Sequence, residues 1–335
     1  MMRTSPAETK LVICVKHPFP LWNPPPEMAQ RIRGRWPEIR VVHLPDYTNL
    51  ERELPDTQIF VGYSLRPAQF ALARDLRWIH STAAGVGQLL FPELRESVIE
   101  VTNASGVHSI PIAEHVLGTL LALARRFQDC VRYQLQSMWA QQQLWAAPVR
   151  PRELRGQVML FIGFGHIGRA VATIVKPIGA RIRAVTRSGR GDGELAEKIF
   201  PATELHDALS GADFVILAAP ETPETRGMMG AREFALMKPT AYFLNVARGA
   251  LVDEPALIDA LERRTIAGAA LDVTSEEPLP PESPLWKLDN AFVTPHMSAV
   301  SEHLWDRQID LLMENLERWF SGRELLNRVN FERGY

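Results

Sequence analysis

The chain has 335 residues, of which 46% are hydrophobic and 23% are charged, and its formal net charge is −2. This length predicts two domains, and the composition is typical of folded globular proteins and excludes a disordered chain. A charge so close to zero argues against nucleic acid or an anionic membrane as a partner, because both require a basic surface.

No apolar stretch reaches the roughly 20 residues that a membrane span requires, and the polar start of the chain is unlike a secretion signal. The two cysteines, Cys14 and Cys130, have neither a disulfide framework nor metal-ligand spacing. We therefore expect a cytoplasmic protein without a metal site.

The first part of the chain alternates short apolar runs with helix-like segments, a pattern that predicts a small α/β unit. A long apolar-rich helix, Ser109–Phe127, is predicted after it. The predicted strands of this unit are Leu11–Val15, Arg40–Leu44, Gln58–Val61, Trp78–Ser81 and Ile99–Thr102.

A regular alternation of strands and helices begins at Val158. Strands separated by helices predict a parallel sheet covered by helices on both faces. Six strands within about 140 residues are typical of a dinucleotide-binding domain. These predicted strands are Val158–Ile162, Arg181–Thr186, Phe214–Ala218, Ala241–Val246, Ile266–Leu271 and Phe292–Thr294.

The end of the chain is predicted to be mostly one amphipathic helix, Ser301–Phe320. A single helix cannot bury its own apolar stripe, so we expect it to pack on the N-terminal unit. The chain would then form a discontinuous domain, residues 1–103 and 294–335, with a nucleotide-binding domain, residues 104–293, inserted between its halves.

A G-x-G-x-x-G motif, with glycines at Gly163, Gly165 and Gly168, directly follows one predicted strand and precedes a helix. The first glycine would permit a tight turn, the second would let a pyrophosphate approach the backbone, and the third would let the helix pack on the strand. The N-terminus of the helix adds N–H donors and partial positive charge. The motif therefore predicts dinucleotide binding.

The residues after the next strand indicate which dinucleotide is bound. NAD-binding sites usually carry an acid about 20 positions after the glycines, where it binds the ribose hydroxyls. Here Arg187, Ser188 and Arg190 occupy that region, and no acid occurs before Asp192. Arginine and hydroxyl donors suit a 2′-phosphate, which favours NADP(H) over NAD(H). The alternative is an Arg-rich solvated loop.

Three polar residues follow the fourth, fifth and sixth strands of the predicted parallel sheet. They are Arg248, Glu277 and His296. Ligands of such sheets bind beyond the carboxyl ends of the strands. An arginine can hold a carboxylate, a histidine can transfer a proton, and a glutamate can orient the imidazole and stabilise its charged form. Each residue alone also has an ordinary structural explanation.

Several stretches of the chain carry a resemblance to a known family. They are Ala83-Ala84-Gly85-Val86, Val101-Thr102-Asn103, Ala113-Glu114-His115, the glycine motif, Pro220 to Gly227, Asn245 to Gly249, Asp272 to Pro278 and Thr294-Pro295-His296. Together they resemble the D-isomer-specific 2-hydroxyacid dehydrogenases, and the region around Pro278 with the Arg-Ser pair at 187–188 resembles their glyoxylate/hydroxypyruvate reductase branch. The chain departs from the family at Met297-Ser298-Ala299, where a glycine is usual, and at Gly87, where an acid is frequent.

The resemblance implies an α/β fold, namely a doubly wound parallel-sheet (Rossmann) nucleotide domain inserted into a smaller, discontinuous, flavodoxin-like substrate domain. Arg248 would bind the substrate carboxylate and 2-oxo group, His296 would be the general acid, and Glu277 would pair with His296. Main-chain N–H groups at Ala84 and Gly85 would also hold the carboxylate. The resemblance places the following residues at the cofactor, besides the glycines and His296: His166, Ile167, Pro220, Thr225, Ala247, Asp272 and Ser298.

The expected function is NADPH-dependent reduction of a small 2-oxoacid, such as glyoxylate or hydroxypyruvate, to the (R)-2-hydroxyacid. The alternatives are an NAD-linked enzyme acting on phosphoglycerate, formate or phosphite, and a dinucleotide-sensing interaction protein like the co-repressors built on this fold. The long apolar helix favours a homodimer formed through the nucleotide domain. Trp139 and Trp145 would either pack in that interface or reach a neighbouring subunit's substrate pocket.

Overall fold

The computed structural model describes residues 5–332 and residue 334. The chain divides into two units, Met1–Val107 with Ser301–Tyr335 and His108–Val300. Both ends of the chain therefore belong to the first unit, and the second unit is inserted between them. The expected domain boundaries, after residues 103 and 293, stay a prediction beside these observed divisions after 107 and 300.

The first unit contains a five-stranded parallel sheet. Its strands are β1 Lys10–Cys14, β2 Arg40–Leu44, β3 Ile59–Gly62, β4 Trp78–Ser81 and β5 Glu100–Thr102. Their order in the sheet is β2-β1-β3-β4-β5, which is the flavodoxin-like order. Its helices before residue 108 are α1 Pro26–Arg35, α2 Leu50–Glu53, α3 Pro67–Phe70 and α4 Pro92–Arg95.

The second unit contains a seven-stranded parallel sheet. Its strands are β6 Val158–Ile162, β7 Arg181–Thr186, β8 Lys198–Pro201, β9 Phe214–Leu217, β10 Tyr242–Asn245, β11 Gly268–Leu271 and β12 Ala291–Val293. Their order is β12-β11-β10-β9-β6-β7-β8, so that β6 to β11 follow the Rossmann order 3-2-1-4-5-6 and β12 extends the sheet. Its helices are α5 Ser109–Arg125, α6 Phe127–Leu135, α7 Gln141–Ala146, α8 His166–Val175, α9 Leu205–Leu209, α10 Ala231–Leu236 and α11 Glu254–Glu262.

Each sheet separates two hydrophobic layers, because successive side chains of a strand point to opposite faces. In β6, Leu160 and Ile162 pack in one core cluster, whereas Met159 and Phe161 pack in the other. All five residues of this strand are buried, as expected for a parallel strand covered on both faces. The strand ends are therefore the places where polar side chains can reach solvent.

Two sequence predictions require correction in the second unit. The edge strand β8 was missed, since only Phe200 of its four residues is buried and its apolar pattern is weak. The long helix ends at Arg125 and not at Phe127, because Arg126 adopts a left-handed conformation with φ +58° and a new helix begins after it. The Arg126 side chain holds this bend by donating to Asp129 Oδ2 (2.7 Å) and to the Val149 carbonyl (2.6 Å).

The last helix, α12 Leu304–Phe320, confirms the prediction that the end of the chain packs on the N-terminal unit. Its buried face includes Leu312, Leu316 and Trp319, which share a core cluster with β1 and α1. The Trp319 ring stacks on Trp78 of β4 with the ring centroids 5.5 Å apart. Burying each such side chain contributes roughly 1.5–3 kcal/mol, so the terminal helix is part of the first unit's core.

Within residues 5–332 and 334, no helix has the length and apolar character needed to cross a membrane. The same part of the chain shows no cluster of three or more histidine, cysteine, aspartate or glutamate side chains that could hold a metal ion. The expected cytoplasmic location stays a prediction.

Candidate active site

The glycine motif forms the turn between β6 and α8. Gly163 has φ +90°, and a Cβ on it would lie 2.6 Å from the Ala219 backbone. A Cβ on Gly168 would lie 2.7 Å from the Gly163 carbonyl oxygen. These two glycines are therefore required by the left-handed turn and by the close approach of helix to strand.

Gly165 differs from these two, because a Cβ on it would meet no atom within 4 Å. It is exposed and forms the N-cap of α8, which begins at His166 and runs for 10 residues. Open space beside a helix N-terminus, where backbone N–H groups and the helix dipole favour anions, fits a dinucleotide pyrophosphate. Burial, and secondarily the Arg169 charge, lowers the pKa of the His166 imidazole at the start of this helix.

Arg187, Ser188 and Arg190 lie on an exposed loop directly after β7. The Thr186 hydroxyl closes the loop by donating to the Arg190 carbonyl (2.9 Å). Asp192, the first acid after this strand, is turned to its own backbone, since its Oδ1 accepts from the N–H groups of residues 194 and 195. The loop therefore presents cations and a hydroxyl at the position where an acid would bind ribose.

The 220–227 loop follows β9 and carries Pro220 and Thr225. The Thr225 hydroxyl donates to the Pro220 carbonyl (2.7 Å) and accepts from the Thr222 N–H (2.8 Å), so the loop is closed on itself. Hydrogen bonds from Thr222 and from the Glu224 backbone lower the pKa of Glu224, and the Arg187 charge lowers it further. This loop therefore lies within electrostatic reach of the Arg187 loop.

Arg248 lies on a short loop that Asn245, the last residue of β10, holds in place. The buried Asn245 amide accepts from the Ala247 N–H (3.0 Å) and donates to the Arg248 carbonyl (3.0 Å). The Arg248 side chain is exposed, and its Nη1 donates to the Ala247 carbonyl (2.6 Å). At Gly249 the loop touches the next one, since a Cβ there would lie 1.9 Å from the Thr274 oxygen.

Glu277 and His296 form a direct hydrogen bond. His296 Nδ1 lies 2.6 Å from Glu277 Oε2, and the two side chains are 47% and 37% exposed. The other Glu277 oxygen accepts from the Thr274 N–H (3.3 Å). A carboxylate at Nδ1 fixes the orientation of the ring and leaves Nε2 available for proton transfer.

Asp272 holds the backbone of the segment that carries His296. Its Oδ1 accepts from the Met297 N–H (2.9 Å) and the Thr294 hydroxyl (2.7 Å), and its Oδ2 accepts from the Ser298 N–H (3.0 Å). The Asp272 carbonyl accepts from the His296 N–H (2.9 Å). Burial raises the pKa of Asp272, but the hydrogen bonds from residues 294, 297 and 298 outweigh burial and lower it.

These hydrogen bonds to Asp272 affect two predictions about the cofactor. The Asp272 carboxylate is 1% exposed, and Thr294, Met297 and Ser298 all donate to it, so its expected contact with the cofactor stays a prediction. The same is true of Ser298, which is buried.

Ala84 and Gly85, the predicted main-chain ligands of the substrate carboxylate, belong to the first unit. The Ala84 carbonyl accepts from the Asn103 side chain (2.8 Å), and Gly85 is exposed. The Asn103 side chain therefore helps to hold this loop within its own unit.

The structure brings Arg248, Glu277 and His296 to the carboxyl ends of β10, β11 and β12, which are adjacent in the sheet. The roles of Asn245 and Gly249 in holding these loops were not predicted from the sequence. The only sequence signal for Asn245 is an amide at the end of an apolar strand.

Comparison with known proteins identifies the family. The family model described as "D-isomer specific 2-hydroxyacid dehydrogenase, NAD binding domain" matches residues 117–298. The glyoxylate reductase of Korarchaeum cryptofilum is 35% identical over 266 residues, which cover 78% of this chain and 79% of that protein. The chain belongs to the D-isomer specific 2-hydroxyacid dehydrogenase family.

Two solved structures extend the similarity to nearly the whole chain. A D-isomer specific 2-hydroxyacid dehydrogenase of Xanthobacter autotrophicus, in complex with NADPH and MES, is 28% identical with a TM-score of 0.82 and covers 98% of this chain and 99% of its own. The NADPH-dependent glyoxylate/hydroxypyruvate reductase of Sinorhizobium meliloti, in complex with NADP and sulfate, is 25% identical with a TM-score of 0.81 and covers 98% and 100%. The family, enzyme class and fold class predicted from the sequence are thereby confirmed.

Proposed function

We propose that the protein is an NADPH-dependent reductase that converts a small 2-oxoacid of the glyoxylate or hydroxypyruvate kind to the (R)-2-hydroxyacid. The observation that carries the proposal is the hydrogen-bonded His296–Glu277 pair on the same sheet edge as Arg248. The names of the Korarchaeum glyoxylate reductase and the Sinorhizobium glyoxylate/hydroxypyruvate reductase support the substrate class.

The three side chains have complementary tasks in this reaction. Arg248 is exposed at the end of β10, and its planar guanidinium can bind the substrate carboxylate and the neighbouring carbonyl oxygen. His296 Nε2 donates its proton to that oxygen as negative charge develops there. Glu277 stabilises the charged imidazole, and solvent can return the proton because His296 is 47% exposed. A bound reduced nicotinamide would supply the hydride.

The cofactor assignment rests on the loop after β7. Arg187, Ser188 and Arg190 are exposed and suit the 2′-phosphate of NADP(H). The proposal also allows NAD(H) as a less preferred cofactor. The NADPH and NADP complexes of the two structural neighbours support this assignment. The glycine turn would hold the pyrophosphate through the amides of His166 and Ile167.

The remaining site residues complete the proposal. The N–H groups of Ala84 and Gly85 would bind the substrate carboxylate together with Arg248. The residues that would line the nicotinamide and its ribose are Pro220, Thr225, Ala247, Asp272, His296 and Ser298.

We also propose that two copies associate through the nucleotide-binding unit. Phe127, Val131 and Leu135 of α6 are 55%, 54% and 83% exposed, and Trp139 after it is 92% exposed. Large apolar side chains exposed so close together mark an association surface. Trp145 is 62% exposed and stacks against Arg150 at 4.5 Å, so Trp139 is the better candidate to contact a second subunit. Sedimentation of the protein as a monomer would contradict this assembly.

A direct assay tests the function. The purified protein is mixed with NADPH or NADH and with glyoxylate, hydroxypyruvate or phenylpyruvate, and loss of reduced-nicotinamide absorbance is followed. We expect turnover with NADPH, and we expect His296→Ala to lower kcat by about 10²–10⁴-fold while NADPH binding is kept.

Each alternative predicts a different result. Oxidation of phosphoglycerate, formate or phosphite with NAD, without 2-oxoacid reduction, would replace the proposed substrate class. Tight dinucleotide binding with no turnover of any of these acids would favour a sensing protein. A clear preference for NADH would remove the role assigned to Arg187, Ser188 and Arg190.

A further inference from the structure

His296 has an unusual backbone that the surrounding chain must hold in place. Its φ is +49°, in the left-handed region that non-glycine residues rarely adopt. Such a conformation is energetically unfavourable and persists only where neighbouring contacts impose it. Here Asp272 imposes it by accepting hydrogen bonds from the N–H groups of residues 296, 297 and 298.

A second histidine, His115, lies close to the Asp272 carboxylate. His115, in the second turn of α5, places its Nε2 3.3 Å from the Thr294 hydroxyl and 4.0 Å from Asp272 Oδ1. Its side chain is only 17% exposed. The small cavity beside this contact is otherwise lined by apolar side chains, apart from Thr119.

The protonation state of His115 Nε2 follows from the hydrogen bonds that Thr294 makes. The Thr294 hydroxyl lies 2.7 Å from the Asp272 carboxylate and gives its only proton to that acceptor. Thr294 can then only accept from His115, so His115 Nε2 carries a proton and donates it. Burial lowers the pKa of His115, and the Asp272 charge opposes this only in part, so the imidazole is neutral near pH 7.

We propose that His115 is a positioning residue for His296 and acts through Thr294 and Asp272. The donated hydrogen bond aims the Thr294 hydroxyl at Asp272 Oδ1, which in turn accepts from Met297 and keeps the left-handed turn at His296. This inference rests on the proposed function, because it concerns the residue that the proposal makes the general acid.

The competing explanation is that His115 only fills space between α5 and the sheet. Two substitutions separate the explanations. His115→Leu keeps the apolar volume and removes the donor, whereas His115→Gln keeps an N–H donor where Nε2 lies. Val116→Ala is the matched control, because Val116 is fully buried, lines the same cavity and has only apolar side-chain atoms.

The first measurement is amide hydrogen exchange in residues 294–298 of the intact protein, which needs no substrate. In His115→Leu we expect the Met297 and Ser298 amides to exchange about tenfold faster, because their shared acceptor is less well fixed. His115→Gln should restore slow exchange. Val116→Ala should leave exchange in this segment unchanged.

The second measurement is steady-state reduction of glyoxylate with NADPH. His115→Leu should lower kcat by about 3- to 10-fold, the effect of one hydrogen bond, and leave KM within twofold because Arg248 still binds the carboxylate. Wild-type exchange and kcat in His115→Leu would overturn the inference, as would a Gln variant as impaired as the Leu variant. If the wild type reduces no 2-oxoacid, the proposed function fails, while the exchange data still decide the role of His115.

Discussion

Replacing Gly249 with alanine tests how the arginine and the histidine–glutamate pair are held together. The added Cβ would lie 1.9 Å from the Thr274 oxygen, 2.1 Å from its carbonyl carbon and 2.5 Å from the Ser275 nitrogen. All three are backbone atoms, so no flexible side chain can move aside. The Thr274 oxygen would have to retreat by about 1.5 Å before an ordinary contact of 3.4 Å is reached.

That displacement acts directly on the Glu277–His296 pair. The Thr274 N–H donates to Glu277 Oε1, and the Ser275 N–H is fixed by Glu254 Oε2 at 2.8 Å. Any shift of the Thr274 backbone therefore changes the position of Glu277 relative to Arg248. A misplacement of about 1 Å costs roughly 10²-fold in rate, or about 3 kcal/mol of transition-state stabilisation.

The assay for Gly249→Ala measures kcat/KM for glyoxylate with NADPH, together with NADPH affinity and urea-induced unfolding. We expect kcat/KM to fall by about 10²-fold, and overpacking to lower the free energy of unfolding by about 1–3 kcal/mol. Gly34→Ala is the control, since a Cβ at this helical position meets nothing within 4 Å and should be tolerated. A folded Gly249→Ala variant with wild-type kcat/KM would refute the packing argument.

Three further predictions concern the glycine turn and the core. Gly165→Val should weaken NADPH binding by at least tenfold with little loss of stability, because the added side chain would fill the open space beside the helix N-terminus. Gly163→Ala should lower the free energy of unfolding, because alanine is strained at φ +90°. Titration calorimetry measures the binding, and urea unfolding measures the stability of both variants. Burial lowers the pKa of His80 to about 4, so between pH 6.5 and 4 the unfolded chain binds more protons. The free energy of unfolding should then fall by up to about 3 kcal/mol on acidification, and an equally steep fall in His80→Phe would contradict this.

The fold could be predicted from the sequence because each strand carries its own signal. β6 is a continuous apolar run, whereas β7 begins with arginine and isoleucine in alternation, and the predicted bounds of both strands equal the observed ones. The edge strand β8 was missed because only Phe200 is buried in it. The bend at Arg126 was missed because it depends on Asp129 and Val149, whose contacts no local pattern reveals.

The residues of the candidate site were also visible in the sequence, since polar side chains directly after buried strands must emerge at the edge of a parallel sheet. Arg248, Glu277 and His296 were predicted in this way. The 2.6 Å contact between Glu277 and His296 could not be predicted, because it depends on the conformations of two separate loops. The left-handed turn at His296 could not be predicted either, because it depends on hydrogen bonds to Asp272, 24 positions earlier in the chain.

The sequence by itself determined the two α/β units, the glycine turn and the three side chains of the strand ends, because these follow from periodicity and from chemistry within a few neighbouring residues. Only the tertiary structure decided how these side chains are held. Gly249 and Asp272 act through contacts with segments about 25 positions further along the chain, and such contacts exist only once the strands have taken their order in the sheet.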